Sequence, residues 1–215
     1  MLEFIEFNRI LGASHFTFYH LHTSEEFKCI LNYYERLGLV SIHPWSSLGL
    51  IDGVNTREID EQTNNPFDIH FRNQVALHND CNLRSMWKYD YAMHTNMDEF
   101  LLPTKEPNLI SLLEKLERDQ GSNVSAFSWI HGYHLLYWED DEIINEEYPN
   151  CTQLPLYTLR KTGRSELKSE YNDSSKYIVK PEKAFMTHVH DANTLMAGNQ
   201  ILSLSPHDGI LHHYR

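Results

Sequence analysis

The feature that most constrains this chain is its alternation of helical and strand-like segments from the amino terminus onward. Phe4, Ile5, Ile10 and Leu11 lie at helical spacing within residues 2–11, and Gly12 behind them predicts a glycine C-cap. Residues 15–21 (HFTFYHL) are aromatic-rich and predict a strand. Thr23 with Glu26 reads as a capping box ahead of Phe27, Ile30, Leu31 and Tyr34, and Gly38 closes that helix. Residues 39–43 predict a short strand stopped by Pro44. A long polar loop over 46–67 precedes a helix over 69–86 and a buried strand over 91–97. Asn108 caps a helix over 109–118, and 124–130 forms another strand. Such alternation predicts an α/β domain with a mostly parallel sheet and ligands at the carboxyl ends of its strands.

At 215 residues the chain suits one domain with a sizeable core. Hydrophobic residues at 41% predict a packed globule rather than disorder. The net charge of −12 repels phosphate backbones and argues against nucleic acid as a partner, while favouring a cation. Cys29, Cys81 and Cys151 include no CxxC pair, so a zinc ribbon or thioredoxin-type site is not indicated. No run of about 18 apolar residues is present, so no membrane span is expected. No signal peptide is visible, and the first residues read as helix interior, so the chain is expected to begin inside a domain. Sequons at Asn123, Asn150 and Asn172 are compatible with a secretory lumen.

The sharpest chemical signal is Asn96-Met97-Asp98-Glu99 after an apolar strand. If the strand continues, Asn96 and Asp98 share one face and Glu99 takes the other. Oxygen ligands of this kind suit Mn²⁺ or Mg²⁺, which could hold a nucleotide diphosphate. The alternative is an acidic strand end in a polar loop. Histidine, at 14 residues, is the second signal: His188 and His190 share a face if their segment is a strand, and His212-His213 lies at the end. A third is basic: Arg160, Lys161, Arg164, Lys168, Lys176, Lys180 and Lys183 could meet diphosphate oxygens or form solvated surface. No HExxH motif supports a metallohydrolase.

Taken in order, several segments together resemble glycosyltransferase family 92. They are residues 4–19 (FIEFNRILGASHFTFY), 33–40 (YYERLGLV), 74–84 (QVALHNDCNLR), 98–103 (DEFLLP), 176–183 (KYIVKPEK), Val189-His190 and 211–215 (LHHYR). The resemblance covers nearly the whole chain. It implies a GT-A-like fold, with a mixed, mainly parallel sheet flanked by helices, over a single domain of residues 1–215. It also implies inverting transfer, a divalent metal (usually Mn²⁺), a UDP-sugar donor, most readily UDP-galactose, and a glycan acceptor. Family members resemble Golgi proteins held by one N-terminal membrane anchor. That anchor and the first strand of the nucleotide-binding half are missing here, so the chain is expected to be N-terminally truncated, with weakened uridine binding if it stands alone.

Carried over residue by residue, Asp98 is the metal ligand, Asn96 its degenerate partner, and His190 or His213 the distal ligand. Family members usually have Asp where this chain has Asn96, which removes a full negative charge beside the cation. Asn79, Asp80 and Arg84 fall near the nucleotide or donor sugar, and Lys176 and Lys180 near the diphosphate. Glu139, Asp140, Asp141 and Glu142 are the candidates for the single general base, by their place after the 124–130 strand. Trp129, Tyr133 and Trp138 are candidates for stacking on sugar faces. The resemblance therefore points to a metal-dependent galactosyltransferase, with a weakened or inactive glycan-binding protein on the same fold as the alternative.

Overall fold

Helix α1 (Leu2–Ile10) turns Phe4, Ile5 and Asn8 inward, a stripe at helical spacing, and Asn8 Nδ2 donates to Phe4 O at 2.8 Å. Gly12 behind it has φ +108°, a conformation that a side chain would strain. This computed structural model describes residues 1–20, 23–44, 66–142, 146, 156–167, 175–192 and 194–215. In chain order β1 (Phe16–His20), α2 (Glu25–Arg36) and β2 (Val40–Pro44) follow. The N-cap of α2 is Ser24, whose Oγ accepts from Phe27 N, rather than Thr23. The helix therefore starts one residue later than the capping-box pattern suggested.

The loop expected over 46–67 lies outside the described residues as far as residue 65, and Pro66 opens α3 (Pro66–Ser85). Next come β3 (Ala92–His94), β4 (Glu99–Pro103), α4 (Leu109–Gln120), β5 (Val124–Trp129) and β6 (His131–His134). A one-turn helix α5 (Tyr157–Arg160), β7 (Lys176–Val179), a 3-10 turn (Pro181–Lys183) and β8 (Ala184–Met186) lead to β9 (Thr194–Leu195), β10 (Gln200–Ser203) and β11 (Gly209–Tyr214).

The strands form a parallel pair β1-β2, a four-stranded sheet β10-β5-β7-β3, a three-stranded sheet β4-β11-β6 and a small pair β8-β9. The chain is thus mixed α/β, but among the described residues its sheets are not mainly parallel. β5-β10 and β6-β11 are parallel like β1-β2, while β3-β7, β5-β7, β4-β11 and β8-β9 are antiparallel. The physical reason is that β7 arrives from far along the chain and inserts between β3 and β5. Local periodicity carries no trace of that insertion.

One core layer places Leu109, Leu112, Leu113 and Leu116 of α4, an i, i+3, i+4, i+7 stripe, over Val124, Phe127 and Trp129 of β5 and Leu211 of β11. Another packs α1, β1, α2 and β2 around Phe100 and Tyr214. Between them opens a cleft of about 1420 Å³. Its walls include β1, the inner face of α3 and the segment 91–98. Among the described residues β1 pairs only with β2 and β3 only with β7, and residues of both strands line this cleft. No helix among the described residues is long and apolar enough to cross a membrane.

Candidate active site

The strand expected over 91–97 ends at His94, and residues 95–98 turn sharply from one sheet into the next, with Glu99 N donating to Asn96 O at 3.2 Å. Asn96 and Asp98 therefore do not share a strand face; both are exposed residues of a turn that lines the cleft. Tyr214 N donates to Asp98 O at 2.8 Å, which ties this turn to the last strand.

The β4-β11 register sets His213 directly opposite Glu99, and the β11-β6 register sets Tyr133 on the other side of His213. Directly paired residues project from the same sheet face. As a result His213 Nε2 lies 3.4 Å from Asp98 Oδ2, and Nδ1 lies 3.7 Å from Glu99 Oε1. The Tyr133 ring stands 5.2 Å from the imidazole. The neighbouring His213 holds the Asp98 carboxyl below the usual carboxylate range, against the opposing effect of burial.

Glu99 is buried, with 2% of its side chain exposed, and faces Lys176 Nζ at 3.5 Å, itself 1% exposed. Its Oε2 accepts from Asn96 N at 2.7 Å and from the Thr95 hydroxyl at 3.3 Å. Sequence reading assigned Glu99 no part in the site. The available signal was a carboxylate opening the apolar run Phe100-Leu101-Leu102, with a lysine heading the apolar strand β7. Buried charges of this kind need partners.

His188 and His190 sit in a bend after β8 rather than on a strand, because β8 stops at Met186. His190 Nδ1 is 3.2 Å from Ser175 O. Asn79 clips α3 to the chain beyond β8: Nδ2 donates to Thr187 O at 2.8 Å, and Oδ1 accepts from Thr187 N at 3.0 Å. Asp80 accepts from Tyr19 OH and from Arg84 Nε, each at 2.6 Å, which joins α3 to β1. Lys180 pairs with Glu117 at 2.8 Å. Each of these donor-site candidates thus already has a protein partner.

Of the four candidate bases, Asp140 is ion-paired with Arg160 and Lys161, which hold its carboxyl below the ordinary range. Asp141 accepts from the Thr162 hydroxyl. Glu139 and Glu142 are exposed, and none of the four lines the cleft. Trp129 is fully buried, which removes it as a sugar platform, whereas Trp138 is 37% exposed. Asn123 is exposed, and Asn150, Asn172, Cys151 and Lys168 lie outside the described residues.

The donor set can be tested for a cation. Two cis ligands at roughly 2.1 Å from one ion stand about 3.0 Å apart or slightly more. The Asp98–His213 spacing of 3.4 Å is close to that span. Among the described residues no third His, Cys, Asp or Glu joins them. A cation there would keep open positions for substrate oxygens, as catalytic sites do.

The model of glycosyltransferase family 92 matches residues 1–215. Among curated proteins, the glycosyltransferase family 92 protein F55C10.4 of Caenorhabditis elegans is 23% identical over 183 residues, covering 83% of this chain and 31% of that protein. The glycosyltransferase family 92 protein F13G3.3 of the same organism is 30% identical over 83 residues, 38% of this chain and 15% of that protein. The galactan beta-1,4-galactosyltransferase GALS3 of Arabidopsis thaliana is 28% identical over 168 residues, 72% of this chain and 28% of that protein. The chain spans less than a third of the length of each of these relatives.

Proposed function

The chain belongs to glycosyltransferase family 92, and from that premise we propose that it forms part of a metal-dependent inverting galactosyltransferase using UDP-galactose and a glycan acceptor. The observation that carries the reading is the meeting of Asp98 and His213, 3.4 Å apart, beside a cleft roomy enough for a nucleotide sugar. The galactan-directed relative supports galactose as the sugar. Asp98 and His213 would hold Mn²⁺ or Mg²⁺, which when bound supplies neutralisation of the diphosphate leaving group.

The chain's own residues do the rest. The apolar and aromatic walls of the cleft, among them Phe16, Phe18, Tyr89 and Tyr91, exclude water and offer faces to a base or sugar. A carboxylate takes the proton of the acceptor hydroxyl as its oxygen bonds to the anomeric carbon and the bond to the diphosphate breaks. Glu139 and Glu142 are the exposed carboxylates among the four candidates, but none of the four lines the cleft, so none is placed to take that proton from an acceptor bound there. The whole protein would work on the lumenal side of the Golgi, with the exposed sequon at Asn123 compatible with that setting.

The test is release of UDP from UDP-galactose and other UDP-hexoses by purified protein, with Mn²⁺ and with EDTA. Mn²⁺-dependent release supports the reading; neither UDP binding nor turnover with any donor ends it. Asn96 favours a second reading, a glycan-binding protein with a weakened centre, because an amide brings no charge to the cation. That reading expects glycan binding that persists in EDTA.

A further inference from the structure

We propose that Glu99 is the positioning residue of this site, holding the 95–98 turn and the His213 ring so that Asp98 and His213 Nε2 face one cation. The inference rests on the cation reading above and adds to it a residue that touches no substrate. Its geometry is specific. The two carboxylate oxygens divide the work: Oε2 takes Asn96 N–H, the Thr95 hydroxyl and Lys176 Nζ, while Oε1 faces His213 Nδ1. That Nδ1 is buried and has no hydrogen bond at its present 3.7 Å from Oε1. The opposite ring nitrogen faces Asp98.

An imidazole that binds a metal through one nitrogen commonly gives its other N–H to a carboxylate, which fixes tautomer and orientation. Glu99 stands where that carboxylate belongs. Stability alone accounts poorly for the arrangement, since a buried ion pair is often replaced by apolar side chains of similar volume at no loss. What apolar side chains would not supply is an acceptor for Nδ1–H and an anchor for Asn96 N–H.

The test compares wild type with the double variant Glu99→Leu/Lys176→Met, which removes both buried charges together and leaves neither unpaired. Mn²⁺ affinity is measured by calorimetry, thermal stability by scanning calorimetry, and the hydrogen bond of His213 Nδ1–H in Mg²⁺-loaded protein by the ¹H NMR shift of that ring proton. The expected result is a wild-type Nδ1–H resonance shifted downfield by its hydrogen bond to Glu99. The double variant should keep its fold, lose that downfield resonance and lose about 10- to 100-fold in Mn²⁺ affinity. A double variant that binds Mn²⁺ as wild type does overturns the proposal, and so does a wild-type protein without the downfield resonance. If wild type binds no Mn²⁺, the cation reading itself fails and this proposal falls with it. The wild-type resonance decides the role of Glu99 if the double variant does not fold.

Discussion

Asn96 offers a neutral amide oxygen in the lining of the cleft, two positions before the turn's only carboxylate, Asp98. Asn96→Asp adds a full charge within a few ångströms of a bound cation, and a tightening of Mn²⁺ binding on the order of tenfold is expected by calorimetry. No change would show that position 96 does not reach the ion. A second residue-scale prediction concerns two stacked rings, His78 and His94, with centroids 4.9 Å apart. Burial pushes His78 down to about 4, with Lys176, His190 and His188 adding to it, and pushes His94 down to about 3, with His78 and Lys176 adding. Both are therefore neutral in the folded protein while the unfolded chain takes up protons below about pH 6.5. Stability is fully present above that value and declines as pH falls towards 4. The melting temperature should drop across this window, and His78→Gln should flatten the drop. A profile unchanged by that substitution would contradict the assignment.

At the scale of elements, the site depends on how α4 and β11 are seated. Asn108 Oδ1 accepts from Ser111 N at 2.8 Å and caps α4, whose leucines carry the core under the third sheet. Asn108→Ala should cost about 1 kcal/mol, or roughly 2–4 °C in melting temperature. Gly209 opens β11, and a Cβ there would lie 2.7 Å from Trp129 Nε1 and 2.9 Å from Leu102 O. Gly209→Ala should therefore destabilise by roughly 1–3 kcal/mol. It should also weaken Mn²⁺ binding, because β11 carries His213 in register with Glu99. Loss of stability with unaltered metal affinity would mean that the register survives.

At the scale of the whole molecule, the cleft has β1 on one wall and β3 with the turn 95–98 on another, so a ligand spanning it should stabilise both together. A ligand that binds the folded state at 100 times its Kd adds about 2.7 kcal/mol. UDP with Mn²⁺ should then raise the melting temperature by about 5–10 °C, and UDP with EDTA by far less. An equal shift in both conditions would argue that the nucleotide binds without the cation.

Amphipathic stripes, caps and turn residues are local properties, and they made much of the fold legible. The α4 leucine stripe, the Asn108 cap, Gly12 behind α1 and the strands around Phe16 and Val124 were all readable from spacing. The family was legible too, because its segments recur in order along residues 1–215. Other features depend on pairings between distant segments. The insertion of β7 between β3 and β5, the end of β3 at His94, and the registers that bring His213 beside Asp98 and Glu99 arise only when the sheets assemble. Residue types and local periods specify which elements can form. Which side chains meet is decided by backbone hydrogen bonding between strands far apart in the chain, and no local pattern encodes that register.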